Sequence, residues 1–67
     1  MNELKKLKDL IHLKGYSQRK IAQMMGMSIS AFQNRVNGKV AFYLDEAMLL
    51  AAILDIPPEE ITSYFVA

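Results

Sequence analysis

The residues of this sequence best suited to chemistry are neutral polar side chains between residues 28 and 37. They are Ser28, Ser30, Gln33, Asn34 and Asn37. Their hydroxyl and amide groups donate and accept hydrogen bonds without carrying a charge. On one side of a helix, and near its N-terminus, such groups can reach base edges and phosphates in the major groove of DNA. The segment therefore predicts recognition of a nucleic acid through hydrogen bonds.

The residues that enzymes and metal sites require are scarce. The sequence has no cysteine and a single histidine, His12, so a structural zinc site of the usual Cys/His type is excluded. The paired carboxylates Asp45-Glu46 and Glu59-Glu60 are explained by the preference of acidic residues for the first turn of a helix. Because there is also no phosphate-binding loop and no nucleophile paired with a base, we expect no enzyme activity, no metal and no cofactor.

The size and composition of the chain predict one small domain over residues 1–67. Of its 67 residues, 52% are hydrophobic, which suits a globular fold. A core of this size is marginal, so packed helices must stabilise it, with a partner subunit as a further source of stability. No stretch resembles a signal peptide, and the most apolar run, residues 47–54, is far shorter than the ~20 residues of a membrane span. We therefore expect a cytoplasmic protein with no membrane association.

Charge divides the chain into two halves. Residues 1–40 contain eight basic and two acidic residues, whereas residues 41–67 contain five acidic residues and no basic residue. One face turned toward a polyanion and another face turned away from it would explain this division. Two ordinarily solvated surfaces that differ by chance would explain it equally well.

Glycine, proline and serine divide the chain into five helical segments. Apolar residues recur at helical spacing over residues 2–14, 18–25, 29–37, 45–54 and 58–65. Gly15, Gly26 and Gly38 follow the first three segments, and Ser17 and Ser28 precede the second and third as N-caps. The sequence therefore predicts an all-α five-helix bundle.

Three local features of this pattern need the structure to decide them. Residues 40–44 form a short apolar stretch that could be extended. Asp55 falls where a glycine would normally end the fourth helix, and aspartate adopts a left-handed conformation only at some cost. The methionines are expected to fill the core adaptably; they include Met24, Met25, Met27 and Met48.

Residues 17–38 contain two short helices with almost no linker between them. Gly26 supplies the backbone freedom that such a tight turn needs, and the turn forces a steep crossing angle on the two helices. Ala22 is small where the helices must approach, and Phe32 would fill the angle between them. The spacing predicts a helix-turn-helix whose second helix presents its polar side.

This segment resembles the helix-turn-helix of the phage repressor and Cro family. The matching residues are Ser17-Gln18, Ile21-Ala22, Gly26-Met27-Ser28, Phe32 and Asn37-Gly38. The five-helix layout extends the resemblance over nearly the whole chain. The resemblance implies a compact bundle of the lambda-repressor-like DNA-binding type in a bacterial, phage or prophage setting. It also implies a transcriptional regulator that binds operator DNA as a homodimer, with helix 29–37 in the major groove.

The resemblance assigns roles to individual residues. The positions that match base-reading residues are Ser28, Ile29, Ser30 and Asn34, with Gln33 beside them. The positions that match phosphate contacts are Gln18, Asn37 and Lys39, with Arg19 beside them. Ile29 would touch a thymine methyl, or would instead fold back on the core. Gln33 and Asn34 could be plain solvated surface, and Arg19 could face water instead of DNA.

Two positions depart from the family pattern. Many relatives carry an arginine at the position of Ile11 and a glutamate at the position of Val36, and the two form a partly buried ion pair. Both positions are apolar here, as a coupled replacement would leave them, because losing one partner alone strands a buried charge. We therefore expect Ile11 and Val36 to be buried and in van der Waals contact.

The partners of the chain are open to two interpretations. Tyr64 and Phe65 belong to an apolar segment, residues 63–67, that predicts a hydrophobic cluster, either across a homodimer interface or against the chain's own core. DNA and a second copy are the partners that the resemblance implies. The alternative is a protein-interaction module on the same scaffold, such as an antirepressor, a repressor modulator or an antitoxin-like partner of a second regulatory protein. It is favoured by the net charge of +1 and by Arg35 as the only base of the third helix.

Overall fold

The computed structural model describes residues 3–66, and over this range the chain forms five α-helices and no strand. The α-helices are α1 Lys5–Leu13, α2 Gln18–Met24, α3 Ile29–Val36, α4 Leu44–Ile53 and α5 Ile61–Phe65, and the 3-10 helix Pro58–Glu60 precedes α5. The predicted all-α architecture of five helices is confirmed. No helix in residues 3–66 is long and apolar enough to cross a membrane.

Three helices begin at residues other than those predicted: α1, α4 and α5. The backbone N–H of Leu4 donates to the carbonyl of Val36 at 2.7 Å, which ties the chain before α1 to the end of α3. For this reason α1 begins only at Lys5; the predicted start, residue 2, lies outside the described residues. Helix α4 begins one residue early, at Leu44, because Tyr43 takes the N-cap position.

Residues 58–65 are not the single α-helix that was predicted. Pro58 begins a 3-10 turn, which closes when the N–H of Glu60 donates to the carbonyl of Pro57 at 2.9 Å. Helix α5 follows from Ile61 and has only five residues. The two consecutive prolines lack backbone donors, so the chain enters α5 through the tighter turn.

Helices α1 to α4 each end with one residue in the left-handed region. After α1, α2 and α3 this residue is a glycine, and the turn at Gly26, with φ 71°, joins α2 to α3. After α4 it is Asp55, with φ 57°, the only residue other than glycine with a positive φ in residues 3–66. The N–H of Ile56 then donates to the carbonyl of Ala51 at 2.9 Å, as in a Schellman motif. Asp55 therefore takes the left-handed position that a glycine would normally occupy.

One buried cluster joins the helices. Phe32 of α3 is its largest side chain, and its ring meets that of Phe42 edge-to-face at 6.2 Å. Phe42 in turn meets Phe65 of α5 at 5.2 Å, so three aromatic rings connect α3 with α5 through the segment before α4. The buried members of the cluster are Leu4, Leu7, Ile11, Ile21, Ala22, Phe32, Val36, Leu50, Ala51, Leu54 and Ile56.

Two of the methionines are not core residues, and that part of the prediction was wrong. Met25 and Met27 pack against the buried cluster, but Met24 is 42% exposed and Met48 is 58% exposed. Both lie on the outward sides of their helices, because smaller and branched apolar residues already fill the inward sides. An unbranched methionine suits either environment, so its presence in the sequence does not indicate which side of a helix it occupies.

Candidate nucleic-acid interface

Helices α2 and α3 form a unit connected by residues 25–28. Ser17 and Ser28 cap the two helices, since each hydroxyl oxygen accepts a backbone N–H of the first turn, at 3.0 and 3.1 Å. Ile21 and Phe32 are fully buried on the inward sides of the two helices. The capping prediction is confirmed for both serines, and the buried apolar sides leave the polar side of α3 facing outward.

The outward side of α3 carries neutral polar groups. Ser30, Gln33, Asn34 and Asn37 are exposed, whereas Phe32 on the opposite side is fully buried. The four polar residues fall within about 100° of one another around an ideal helix axis. Of the described residues of this segment, those whose side chains form hydrogen bonds are Ser28, Arg35 and Asn37. Ser30, Gln33 and Asn34 therefore keep their donors and acceptors for a ligand.

The first two positions predicted to read bases have structural roles as well. Ser28 uses its hydroxyl oxygen as the N-cap acceptor but is itself exposed and retains its own O–H as a donor. Ile29 is half-buried and packs against the core cluster, so part of its side chain remains at the surface. A contact between Ile29 and a thymine methyl stays a prediction, and it would involve only that exposed part.

The predicted phosphate contacts surround α3. Gln18 begins α2 and is half-buried, while Arg19 and Lys39 are exposed. Arg19 and Ile29 line the same shallow depression between α2 and α3, which places Arg19 beside the start of α3. At the other end of α3, the backbone N–H of Lys39 donates to the carbonyl of Asn34 at 2.9 Å. Arg19 thus lies near one end of the exposed polar side, and Lys39 follows the other end in the chain.

A further cation near this site was not among the predicted site residues. The ammonium of Lys8 on α1 lies 3.2 Å from Oδ1 of Asn37 and 2.9 Å from Oε2 of Glu3. Its position three residues before Ile11 puts it on the side of α1 that faces α3, and that spacing was the available signal. Lys8 brings its ammonium to Asn37, a predicted phosphate contact.

Arg35, the only base of α3, does not belong to the exposed polar side. Its Nε donates to Oε1 of Glu46 at 2.9 Å and its Nη2 donates to Oε2 at 3.2 Å. The two side chains are only 14% and 17% exposed. The hydrogen bond from Arg35 lowers the pKa of Glu46, and the same bond raises the pKa of Arg35. The pair is therefore fully charged near neutral pH, and it joins α3 to α4.

The two positions that depart from the resembled family are buried, as predicted. Ile11 is 2% exposed and Val36 is 0% exposed, and both belong to the core cluster. At these positions the first and third helices thus contribute apolar packing to the core. Their direct contact within ~4.5 Å stays a prediction.

Tyr64 and Phe65 pack against the chain's own core and are half-buried. The ammonium of Lys6 lies 4.3 Å from the ring centroid of Tyr64, a cation–π contact that connects α1 with α5. This arrangement favours the alternative in which these residues complete the monomer. Their part in a homodimer interface stays a prediction.

A second exposed surface has a different chemistry. Helix α4 turns four apolar residues outward, which we call the α4 apolar face: Leu44, Met48, Leu49 and Ala52. Leu44 is 76% exposed and also lines an apolar groove against α5, next to Val66, which is 66% exposed. Exposed apolar surfaces that are contiguous in this way mark sites of protein association.

The chain was compared with protein families, curated proteins and solved structures. A family model described as "Protein of unknown function (DUF739)" matches residues 2–67. No curated protein and no solved structure matches the chain. Since the match covers nearly all of its residues, the chain belongs to the DUF739 family.

Proposed function

We propose that this protein is a sequence-specific DNA-binding transcriptional regulator of the Cro or repressor kind. In this proposal the bundle is of the lambda-repressor-like type, and α3 enters the major groove of operator DNA in the cytoplasm. The observation that carries the proposal is the exposed side of α3, where Ser30, Gln33 and Asn34 retain free hydrogen-bonding groups. A neutral polar side of a short helix suits base edges, which are themselves neutral donors and acceptors.

The charges around α3 support this orientation. Arg19 near the start of α3 and Lys39 after its end are exposed, and Lys8 lies beside Asn37. Cations at both ends of a reading helix can contact the phosphates on either side of a groove. The acidic residues of the chain lie mostly in residues 41–67, and residues 17–39 contain none, so no carboxylate of that segment would repel the phosphates.

Within the groove, each residue would make the kind of contact that its side chain allows. The amide of Asn34 can donate to and accept from the N7 and N6 groups of an adenine, and Ser30 can bond several base edges. Gln33 lies beside them, Ser28 offers its O–H, and Ile29 offers an apolar edge to a thymine methyl. The phosphate contacts would come from Gln18, Arg19, Asn37 and Lys39, and those contacts fix the position of α3 without reading sequence.

The proposed homodimer would bury the α4 apolar face. Leu44, Met48 and Ala52 follow one another at intervals of four, so they form a single stripe along α4. When two such stripes pack antiparallel about a two-fold axis at Met48, the large Leu44 lies opposite the small Ala52 of the other copy. A surface that is complementary to itself is what a two-fold interface requires.

The dimensions of the protein are compatible with such a dimer on DNA. Half-sites one helical turn apart put the two recognition helices ~34 Å apart, so each lies about 17 Å from the two-fold axis. The Cα trace extends over 28 × 26 × 21 Å. A protomer of this width can place α3 at that distance while α4 faces its copy.

The α4 apolar face also supports the alternative function. On a protein-interaction module, a second regulatory protein would cover Leu44 and Met48, and DNA contact would be secondary. The two functions make different predictions for the isolated chain. A DNA reader that acts as a homodimer associates with itself, whereas an interaction module stays monomeric until its partner is added.

Selection from random-sequence duplexes tests the proposed function. Purified protein is incubated with a duplex library, and bound duplexes are recovered and sequenced over several rounds. The expected result is a consensus with two-fold symmetry and half-sites about ten base pairs apart. The Asn34→Ala variant, selected in parallel, should lose preference at one base pair of each half-site. Recovery of no consensus by the parent chain would contradict the proposal.

A further inference from the structure

We infer that the Arg35–Glu46 pair sets the half-site spacing of the operator, by fixing α3 relative to the helix that carries the dimer surface. The inference rests on the proposed function. It starts from the position of the pair: Arg35 is on α3, which reads DNA, and Glu46 is on α4, which presents the α4 apolar face. The two side chains are mostly buried, and neither belongs to the polar side of α3 or to the α4 apolar face, although Arg35 also lines the groove next to Leu44.

Both partners of the pair are also anchored to their own backbone. Nη1 of Arg35 donates to the carbonyl of Ala31 on α3 at 3.0 Å. Oε1 of Glu46 accepts the backbone N–H of Tyr43, at the start of α4, at 2.9 Å. The guanidinium and the carboxylate therefore connect two helix backbones with little rotational freedom in between. A planar fork of two parallel bonds fixes orientation as well as distance, which a single lysine contact cannot do.

The fixed relation between α3 and α4 has a consequence in the dimer. The α4 faces of the two copies meet at the axis, and each α3 enters its own half-site. Any rocking of α3 against α4 therefore changes the distance between the two recognition helices. With the pair in place, this distance can vary only a little. The dimer therefore rejects operators that have one base pair more or fewer between the half-sites. Without it, the dimer accepts a wider range of spacings, while contacts within one half-site persist.

The test uses operators derived from the selected consensus, with zero, one or two base pairs added or removed between the half-sites. The parent should lose about tenfold in affinity for a change of one base pair, a loss of the size that one mismatched contact causes. Glu46→Gln and Arg35→Met should reduce this discrimination to about threefold or less. Both variants should bind a single half-site as the parent does. Arg35→Lys, which keeps the charge but loses the fork, should fall between them and the parent.

Asp9→Asn is the matched control. Asp9 pairs with Lys5 at 3.3 Å on the exposed surface of α1, and its substitution changes the net charge of the protein by the same amount as Glu46→Gln. Asp9→Asn should keep the parent's spacing preference. The variant Arg35→Met/Glu46→Leu covers the case in which a single substitution fails to fold, because it strands neither charge. Once a thermal unfolding transition has shown that this double variant is folded, it should also bind operators of altered spacing.

The outcomes separate the inference from the function on which it rests. Variants that bind the operator and keep the parent's spacing preference overturn the inference and leave the proposed function standing. A parent that binds its consensus equally at every spacing overturns the inference as well. A parent that binds no selected duplex overturns the proposed function, and the inference fails with it.

Discussion

The outward sides of α3 and α4 differ in chemistry although both helices pack against one core. The outward side of α3 is polar and uncharged, with Ser30, Gln33 and Asn34 exposed. The outward side of α4 is apolar, with Leu44 and Met48 exposed by 76% and 58%. On both helices, the residues that face inward pack in the core and so stabilise the monomer. The difference teaches that the two exposed sides suit different partners, and it supports the proposal of DNA for α3 and another protein surface for α4.

The distribution of charge follows the same division. All lysines and arginines lie in residues 1–40, and every charged residue in residues 41–67 is acidic. The ion pair between Arg35 and Glu46 links residues 1–40 to residues 41–67. In the proposed orientation, α2 and α3 would bring no carboxylate of their own to the phosphates, because residues 17–39 contain no acidic residue.

The largest effect should follow from a charge on the α4 apolar face. Leu44→Asp places a carboxylate on that face in both copies of a two-fold dimer, so a loss of about 2 kcal/mol per copy gives about 4 kcal/mol in total. Sedimentation equilibrium should show a monomer. Leu13→Asp is the control, because Leu13 is an equally exposed leucine, at 80%, on α1. Loss of association in both variants, or in neither, would remove the contrast between the α4 apolar face and the rest of the surface.

The next effect concerns the polar side of α3. Asn34→Ala and Ser30→Ala should each weaken operator binding by about 1–3 kcal/mol per half-site and leave binding to unrelated duplexes nearly unchanged. Gln18→Ala should weaken both kinds of binding, since a phosphate contact carries no sequence information. Gel-shift titrations with operator and scrambled duplexes measure both. If the three variants behave alike, the division of α3 and its surroundings into base and phosphate contacts is wrong.

A smaller effect should appear when the pH is lowered, at the Arg35–Glu46 pair that links residues 1–40 to residues 41–67. The pKa of Glu46 is lowered below its ordinary value of 4.5 in the folded protein by the hydrogen bond from Arg35. The stability that this gives is fully present above pH 4.5 and is lost as the pH falls through the lower, folded value. Urea unfolding at pH 7 and pH 3 should show a loss for the parent that is about 1 kcal/mol greater than for Glu46→Gln. The control Asp9→Asn should lose as much unfolding free energy between pH 7 and pH 3 as the parent does.

The smallest effect should come from the helix ends, where the two regions also differ. Helices α1 to α3 end at glycines, but α4 ends at Asp55 with φ 57°. Asp55→Gly relieves a left-handed strain of about 1–2 kcal/mol, and the extra freedom of glycine in the unfolded chain offsets part of it. We expect thermal unfolding to show a net gain of about 0.5–1 kcal/mol. Asp55→Ala, which removes the carboxylate but keeps the strain, should show no gain.

The helical segments and most of the core could be predicted from the sequence because their signals are local. Serine before a helix, glycine after it and apolar residues at helical spacing placed α2 and α3 to within one residue. The start of α1 could not be predicted in this way, since it depends on a hydrogen bond between Leu4 and Val36, which lie far apart in the chain. The 3-10 turn at Pro58 was missed because a proline at the first position suits both helix types.

The outward polar residues of the candidate site were also predictable, but their connections to other helices were not. The exposure of Ser30, Gln33 and Asn34 follows from their spacing opposite Phe32 and Val36. The pairing of Arg35 with Glu46 depends on where the fold places α4 relative to α3, and no periodicity in the sequence reports that. Predicting the exposed α4 apolar face was equally difficult, because α4 is apolar on both sides and its hydrophobic pattern gives no direction.

The most direct test of the central claim, that α3 reads DNA, is the affinity of the parent chain for its selected operator and for a scrambled duplex as salt is raised. The account predicts that both affinities fall linearly on a log–log plot, because phosphate contacts release counterions. It also predicts that the operator stays at least about a thousandfold tighter than the scrambled duplex. Affinities that are equal for the two duplexes, or binding that does not respond to salt, would contradict it.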